Sequence, residues 1–225
     1  MRSTAVTILS GLLALWTTLA LGYEVDESKI KTPQAALEAL KAGNERFVSG
    51  KPLNQDYARQ IEKTKGGQQP YATILSCLDS RVPPEILFDQ GIGDLFVGRV
   101  AGNIEDIHML GSFEFAKEVV GTRLLVVLGH TSCGAVKGAC QNVKLDNLTH
   151  LLSEIRPAVA AAEAANPGKD VCEGALVDQV AAENVLRTVH DIREKSQIIV
   201  ELERKGKLKV VGAMYDISTG RVTFL

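Results

Sequence analysis

The sequence predicts a single α/β domain built on a mostly parallel sheet with helices packed against its faces. Two observations carry this. Short apolar runs alternate along the chain with longer segments in which apolar residues recur at helical spacing. The clearest run, Leu124-Leu125-Val126-Val127-Leu128, is apolar at every position, as a strand covered on both faces of a parallel sheet must be.

The elements follow in order. Arg2, the apolar stretch from Ala5 to Leu21 and the small residues of Ala20-Leu21-Gly22 have the layout of a secretory signal peptide over residues 1–22. An uncleaved anchor is the alternative, since the run nears the ~18 apolar residues of a short span. The signal reading predicts an exported protein, periplasmic or secreted, with no stable membrane span once the leader is removed. Residues 23–31 are polar and read as a linker. Thr32-Pro33 has the form of an N-cap followed by proline at the first helical position. Leu37, Leu40 and Phe47 then form an apolar stripe that must pack on something, a partner subunit or the domain's own core, and Gly50 stops the helix. Tyr71–Ser76 reads as a strand ending at Cys77, and Asp94–Val97 as a second. Ile107–Val120 reads as a helix. The Leu124–Leu128 strand ends at Gly129-His130. Helices follow over Cys133–Cys140, over Leu148–Ala165 with a kink at Pro157, over Ala175–Lys195, and from the cap Ser196 through Glu203. Leu208–Met214 and Arg221–Leu225 close the chain as strands. No repeat or low-complexity tract divides it after residue 32, so residues 32–225 form one domain.

At 225 residues the chain can bury a full core, and its formal charge of -2 offers no bulk attraction to nucleic acid or anionic lipid. The chemistry lies in two short segments, Cys77-Leu78-Asp79-Ser80-Arg81 and His130-Thr131-Ser132-Cys133. Two thiols and an imidazole suit zinc better than magnesium or calcium, and three protein ligands leave a coordination position for water or substrate. Cys77 and His130 fall at the carboxyl ends of parallel strands, where open α/β sheets place their crevices. Cys133 opens a helix, whose N–H groups favour a thiolate. Zinc so held lowers the pKa of its water towards ~7, giving a nucleophile for a small electrophilic carbon. Asp79 is placed to accept a hydrogen bond from that water, with Arg81 holding it by a two-pronged contact. Released by Arg81, Asp79 becomes a fourth metal ligand in a closed form. A Cys77–Cys133 disulfide is the competing reading in an exported protein. Cys140 and Cys172 remain, and an oxidising compartment permits a disulfide between them. His108, His150 and His190 lie in helical segments without ligand spacing and read as non-ligands.

These motifs resemble the β-class carbonic anhydrases. The resemblance rests on Cys77 through Glu85, on Asp94 through Asn103, and on Glu114-Phe115-Ala116 running to Gly129-His130-Thr131-Ser132-Cys133-Gly134. It continues more weakly through Glu183-Asn184-Val185 and Gly212 to Val222. It implies one zinc per chain on Cys77, His130 and Cys133, the dyad Asp79–Arg81, and reversible hydration of carbon dioxide to bicarbonate. It also implies a sheet of four parallel strands plus an antiparallel C-terminal strand. The unit it implies is a homodimer, often paired into a homotetramer, in which the N-terminal helix embraces the neighbour. The substrate pocket is placed at Val100, Gly102 and Gly134. Two positions depart from the family pattern. Lys117 replaces an apolar residue and reads as a local surface difference. Ile74 stands where the bicarbonate-inhibited branch carries tryptophan three residues before the first zinc cysteine, which predicts an open site with Asp79 on Arg81. The rival readings are a related hydrolase of carbon disulfide or carbonyl sulfide, and a non-catalytic zinc or redox-binding protein.

Overall fold

In the computed structural model, which describes residues 30–225, Thr32 caps helix α1 (Pro33–Val48) by accepting from the Ala35 N–H at 3.1 Å. The leader expected over residues 1–22 and all but the last two residues of the expected linker lie outside the described residues. Helix α2 (Tyr57–Thr64), strand β1 (Ala72–Ser76) and the short α3 (Pro84–Leu87) lead to β2 (Leu95–Arg99). Helix α4 (Ile107–Phe115), capped by Asp106, widens at its end into a π turn over Ala116–Val120. Strand β3 (Leu124–His130), helices α5 (Gly134–Cys140), α6 (Asp146–Ala165), α7 (Leu176–Lys195) and α8 (Gln197–Arg204), and strands β4 (Lys209–Tyr215) and β5 (Val222–Phe224) complete the domain. The strand order is β2-β1-β3-β4-β5; the first four are parallel and β5 is antiparallel.

The two faces of the sheet separate by strand periodicity. Leu124, Val126 and Leu128 of β3 point to one face, with Ala72 and Ile74 of β1, under α1 and Phe88. Leu125 and Val127 point to the other, with Leu75, under Val185, Val189 and Ile192 of α7 and Ile199 of α8. Each such fully buried side chain contributes about 1.5–3 kcal/mol.

The packing bears on four expectations. The α1 stripe is covered within its own chain: Leu37 and Leu40 are buried against the sheet, and only Phe47 is half-buried. Asn44 fixes the helix there, donating to Leu87 O and Gly220 O and accepting from the Val222 N–H. The reason is distance along the chain, since the covering residues lie in β1, β3 and the C-terminal hairpin. Helix α6 runs through Pro157 as one element, with Ile155, Ala158 and Val159 buried on both sides of the proline. Lys117 is buried in the π turn rather than on the surface, and burial together with the Arg123 charge lowers its pKa. Cys140 and Cys172 are free thiols, with no bridge between them.

Candidate metal centre and active site

Strand β1 ends at Ser76, so Cys77 is the first residue of the loop leaving the sheet, and the adjacent parallel strand β3 ends at His130. Cys133 sits at the N-cap of α5. The side-chain donors of Cys77, His130 and Cys133 lie within 4.8 Å of one another, and all three residues are buried. The two sulfurs are 3.9 Å apart. Two thiolates at ~2.3 Å from a tetrahedral zinc would stand about 3.8 Å apart, so the spacing fits that ion.

His130 supplies a second test. It is fully buried, and its Nε2 has no hydrogen-bond partner among the described residues. Its Nδ1 lies 2.9 Å from Thr131 O, so Nδ1 carries the proton, donates it there and leaves the Nε2 lone pair facing the thiols. A buried imidazole with one nitrogen spent on the backbone and the other aimed at two sulfurs could hold a metal ion together with them. The three donors also act on one another's ionisation. The Cys133 contact pulls the Cys77 thiol down against the opposing effect of burial, and His130 and the Gly102 N–H add to the pull. The same contact and burial push Cys133 up, against the Ala135 and Val136 N–H groups of α5. Burial lowers His130, but the nearby Cys77 sulfur and its charge outweigh that and leave the imidazole raised.

Asp79 and Arg81 are paired. Arg81 Nη2 donates to Asp79 Oδ2 at 2.7 Å, while its Nε and its backbone N–H both donate to Oδ1 at 2.9 Å. This grip holds the carboxyl far below the usual carboxylate range, against desolvation. Asp79 Oδ2 is 4.0 Å from His130 Nε2, which places the carboxylate at the edge of the donor set. Arg99, at the end of β2, donates to Cys77 O and Asp79 O and so ties the Cys77–Arg81 loop to the sheet.

Of the pocket residues placed by resemblance, Gly102 is buried and its N–H donates to Cys77 Sγ at 3.4 Å. Val100 is half-buried behind it and Gly134 is exposed at the start of α5. Gly102 has φ +74°, and a Cβ there would stand 2.4 Å from Ile155 Cδ1, so both backbone and packing require glycine. His108, His150 and His190 are all exposed and none joins the donor cluster.

Two supporting residues escaped the sequence reading. Asn184 of α7, buried, donates to Gly102 O at 2.8 Å. Asp178, a turn and a half earlier, accepts from the Ser132 N–H at 2.7 Å and pins a residue held at φ +56° between two ligands. The Glu183-Asn184-Val185 similarity was the only available signal. Two cavities are notable. One of about 600 Å³, bounded by Phe47, Tyr57, Ile86 and Ile92, has none of the three donors in its wall. The other, about 530 Å³, is lined by Ser132, Cys133 and Asp178 and reaches Cys172.

A mostly parallel α/β sheet that brings two thiols, an imidazole and an arginine-held carboxylate together at its strand ends defines a metal-site protein of the β-carbonic-anhydrase type. The carbonic anhydrase family profile matches residues 72–222. A carbonic anhydrase of Mycolicibacterium smegmatis is 39% identical over 197 residues, covering 84% of this chain and 92% of the relative. Carbonic anhydrase 2 of Mycobacterium tuberculosis is 39% identical over 197 residues, with 84% and 91% covered. Among solved structures, the β-carbonic anhydrase CcaA superposes with a TM-score of 0.68 at 26% identity, covering 85% of this chain and 93% of that one. The chain belongs to the carbonic anhydrase family, in its β class.

Proposed function

We propose that this chain reversibly hydrates carbon dioxide to bicarbonate and a proton at a single zinc ion held by Cys77, His130 and Cys133. The observation that carries the reading is the unpartnered, buried His130 Nε2 facing two sulfurs 3.9 Å apart. Bound there, zinc supplies Lewis acidity that brings the pKa of a water into the neutral range. The chain's own groups do the rest. Cys77 and Cys133 neutralise the ion's charge, and the Gly102 N–H moderates the donation from Cys77. Asp79, ionised and turned by Arg81, presents an acceptor at the edge of the donor set, where it orients a proton of the attacking water. Because Arg81 occupies both carboxylate oxygens, Asp79 is not free to become a fourth ligand, and the site is in its open form.

We further propose that the chain is exported, on the leader over residues 1–22, and works as a homodimer. The edge strand β2 is half-buried along its length, Phe115 beside Phe96 of that strand is exposed, and so are Ile107 and Val119. Light scattering of the mature protein measures the assembly, and a monomer at working concentration would remove it.

Stopped-flow carbon dioxide hydration across pH, on mature protein of measured zinc content, tests the function. Activity proportional to zinc, saturating at one ion per chain, is expected. Zinc-loaded protein inert towards carbon dioxide but active on carbonyl sulfide or carbon disulfide would move the assignment to the hydrolase. Zinc-free protein with Cys77 joined to Cys133 would move it to the redox-binding reading.

A further inference from the structure

The turn that carries Gly102 holds two consecutive residues in left-handed backbone, Gly102 at φ +74° and Asn103 at φ +45°. Such a turn relaxes unless both of its ends are fixed. Its upstream end is strand β2, whose Arg99 bonds the Cys77–Arg81 loop. Within the turn, Gly102 gives its N–H to Cys77 Sγ and its carbonyl to Asn184. The Asn103 N–H returns to Val100 O, and its buried side-chain Nδ2 has no partner among the described residues. Asn103 therefore anchors nothing beyond the turn. Ile104 offers only apolar packing, and Asp106 is engaged by the His108 and Met109 N–H groups that open α4. The downstream polar anchor is Glu105. Its side chain is only 5% exposed, and it accepts from Nζ of Lys195, the last residue of α7. Ser196, the next residue, donates to Glu114 Oε1 at 2.5 Å, so the junction of α7 and α8 also holds the far end of α4.

We propose that Glu105 and Lys195 are a positioning pair for the metal site, which keeps the Gly102 N–H on Cys77 Sγ and so sets how strongly that thiolate donates to the metal. Neither residue touches a ligand. Helix α7 holds the turn at two places, Asn184 on the Gly102 carbonyl and Lys195 on the Glu105 carboxylate. An N–H bonded to a thiolate draws charge from the sulfur, so a turn that drifts away leaves Cys77 a stronger and less directed donor. The chemistry of the pair suits this task. A buried carboxylate that loses its cation is driven towards water, and Glu105 could move only by carrying the turn with it. Lys195 is half-exposed, and its bond to Glu105 raises its pKa against burial, so the amine is charged at every pH at which the domain is folded and working.

The inference rests on the metal reading, and cobalt in place of zinc tests both, because its charge-transfer band with thiolate sulfur reports the donation directly. Cobalt is titrated into the metal-free protein, and the band, the affinity and the Tm are measured. In Lys195→Met the band should move to longer wavelength and cobalt affinity should fall by roughly 3–10-fold, less than the ~10–100-fold typical of a group bonded to a ligand itself. The double variant Glu105→Gln/Lys195→Met, which leaves no buried charge unpaired, should show the same shift, and Lys195→Arg should keep the wild-type band. Arg193→Met is the comparison. It removes a different ion pair of α7, Nε to Glu203 Oε2 at 2.7 Å, which ties the helix to α8 instead of to the turn. It should lower the Tm and leave the band in place. An unmoved band and affinity in Lys195→Met, at a lowered Tm, would overturn the positioning role and leave the pair a support for α7 alone. An equal shift in Arg193→Met would overturn it too. A wild-type chain that binds no cobalt, or binds it without a thiolate band, would instead overturn the metal reading.

Discussion

Replacing Gly102 with alanine perturbs the point where the supporting residues meet the metal ligands. The backbone there has φ +74°, which costs an L-residue roughly 1–2 kcal/mol. The new Cβ would also lie 2.4 Å from Ile155 Cδ1, 3.3 Å from its Cγ1 and 3.4 Å from Ala135 Cβ. Ile155 is fully buried, so relieving that overlap costs a further ~1–3 kcal/mol. The sum, about 2–5 kcal/mol, lowers the Tm of a chain this size by roughly 4–20 °C. Any shift of Gly102 also loosens its N–H from Cys77 Sγ and its carbonyl from Asn184, so zinc affinity should fall by about 10–100-fold. Ile155→Val separates the causes, because it removes the Cδ1 that the new methyl would strike. Alone it should cost about 0.5–1.5 kcal/mol. Combined with Gly102→Ala it should recover 1 kcal/mol or more of the packing penalty. Thermal denaturation of the four proteins, with competitive zinc titration, reads the cycle. If the two substitutions add within ~0.5 kcal/mol, the overlap argument is refuted; unchanged zinc affinity in Gly102→Ala would refute the link from Gly102 to the ligand set.

Asp79→Ala and Arg81→Ala should each keep zinc but lose carbon dioxide hydration by roughly 10²-fold or more, and full activity in both would take the dyad out of the mechanism. Cys133→Ser should leave the chain without zinc after dialysis and lower its Tm, and zinc retained at wild-type affinity would show that Cys133 is no ligand. The folded-state pKa of Asp79 is depressed, so its stabilising contribution is fully present above the unfolded carboxyl pKa of ~3.9 and is lost as pH falls through the folded value. Carboxyl NMR should therefore show no Asp79 titration between pH 5 and 8 (about the range around neutrality used for assay), and in Arg81→Leu the pKa should climb back towards the ordinary range.

The parts of the molecule legible in the sequence are those with local causes. The β3 run reads as a buried parallel strand because every position is apolar, and Thr32 and Ser196 cap helices within three residues of themselves. Cys77 and His130 could be placed at strand ends because the strands end in recognisable runs. Helix α2 was missed because it has no apolar stripe: it buries only Gln60 and is started by Asp56. What covers α1, why Lys117 is buried, and the roles of Asp178 and Asn184 depend on contacts formed between distant segments. Asn184 meets Gly102 across 82 positions, and Asp178 meets Ser132 across 46. No periodicity carries that information. It exists only once α7 has docked.

That docking explains how ligands on two loops are held to a metal's tolerance. Helix α7 lies on β3 and β4 at Val185, and glycine faces it on both strands. A Cβ at Gly129 would come within 2.5 Å of Val185 Cγ2, and one at Gly212 within 2.7 Å of Val185 Cγ1. Only glycine lets the helix approach this closely. The approach carries Asn184 to Gly102 and Asp178 to Ser132, and both of those residues are held in left-handed backbone that needs support. Gly212 touches no ligand, which makes it the place to separate the helix's role from that of the loops. If α7 is the template, Gly212→Ala should push the helix outward and weaken zinc binding by about tenfold, and Val185→Ala in the same chain should restore most of it. Competitive zinc titration of both variants decides the matter. A lower Tm with unaltered zinc affinity in Gly212→Ala would show that the loops hold their own ligands and that α7 merely covers the sheet.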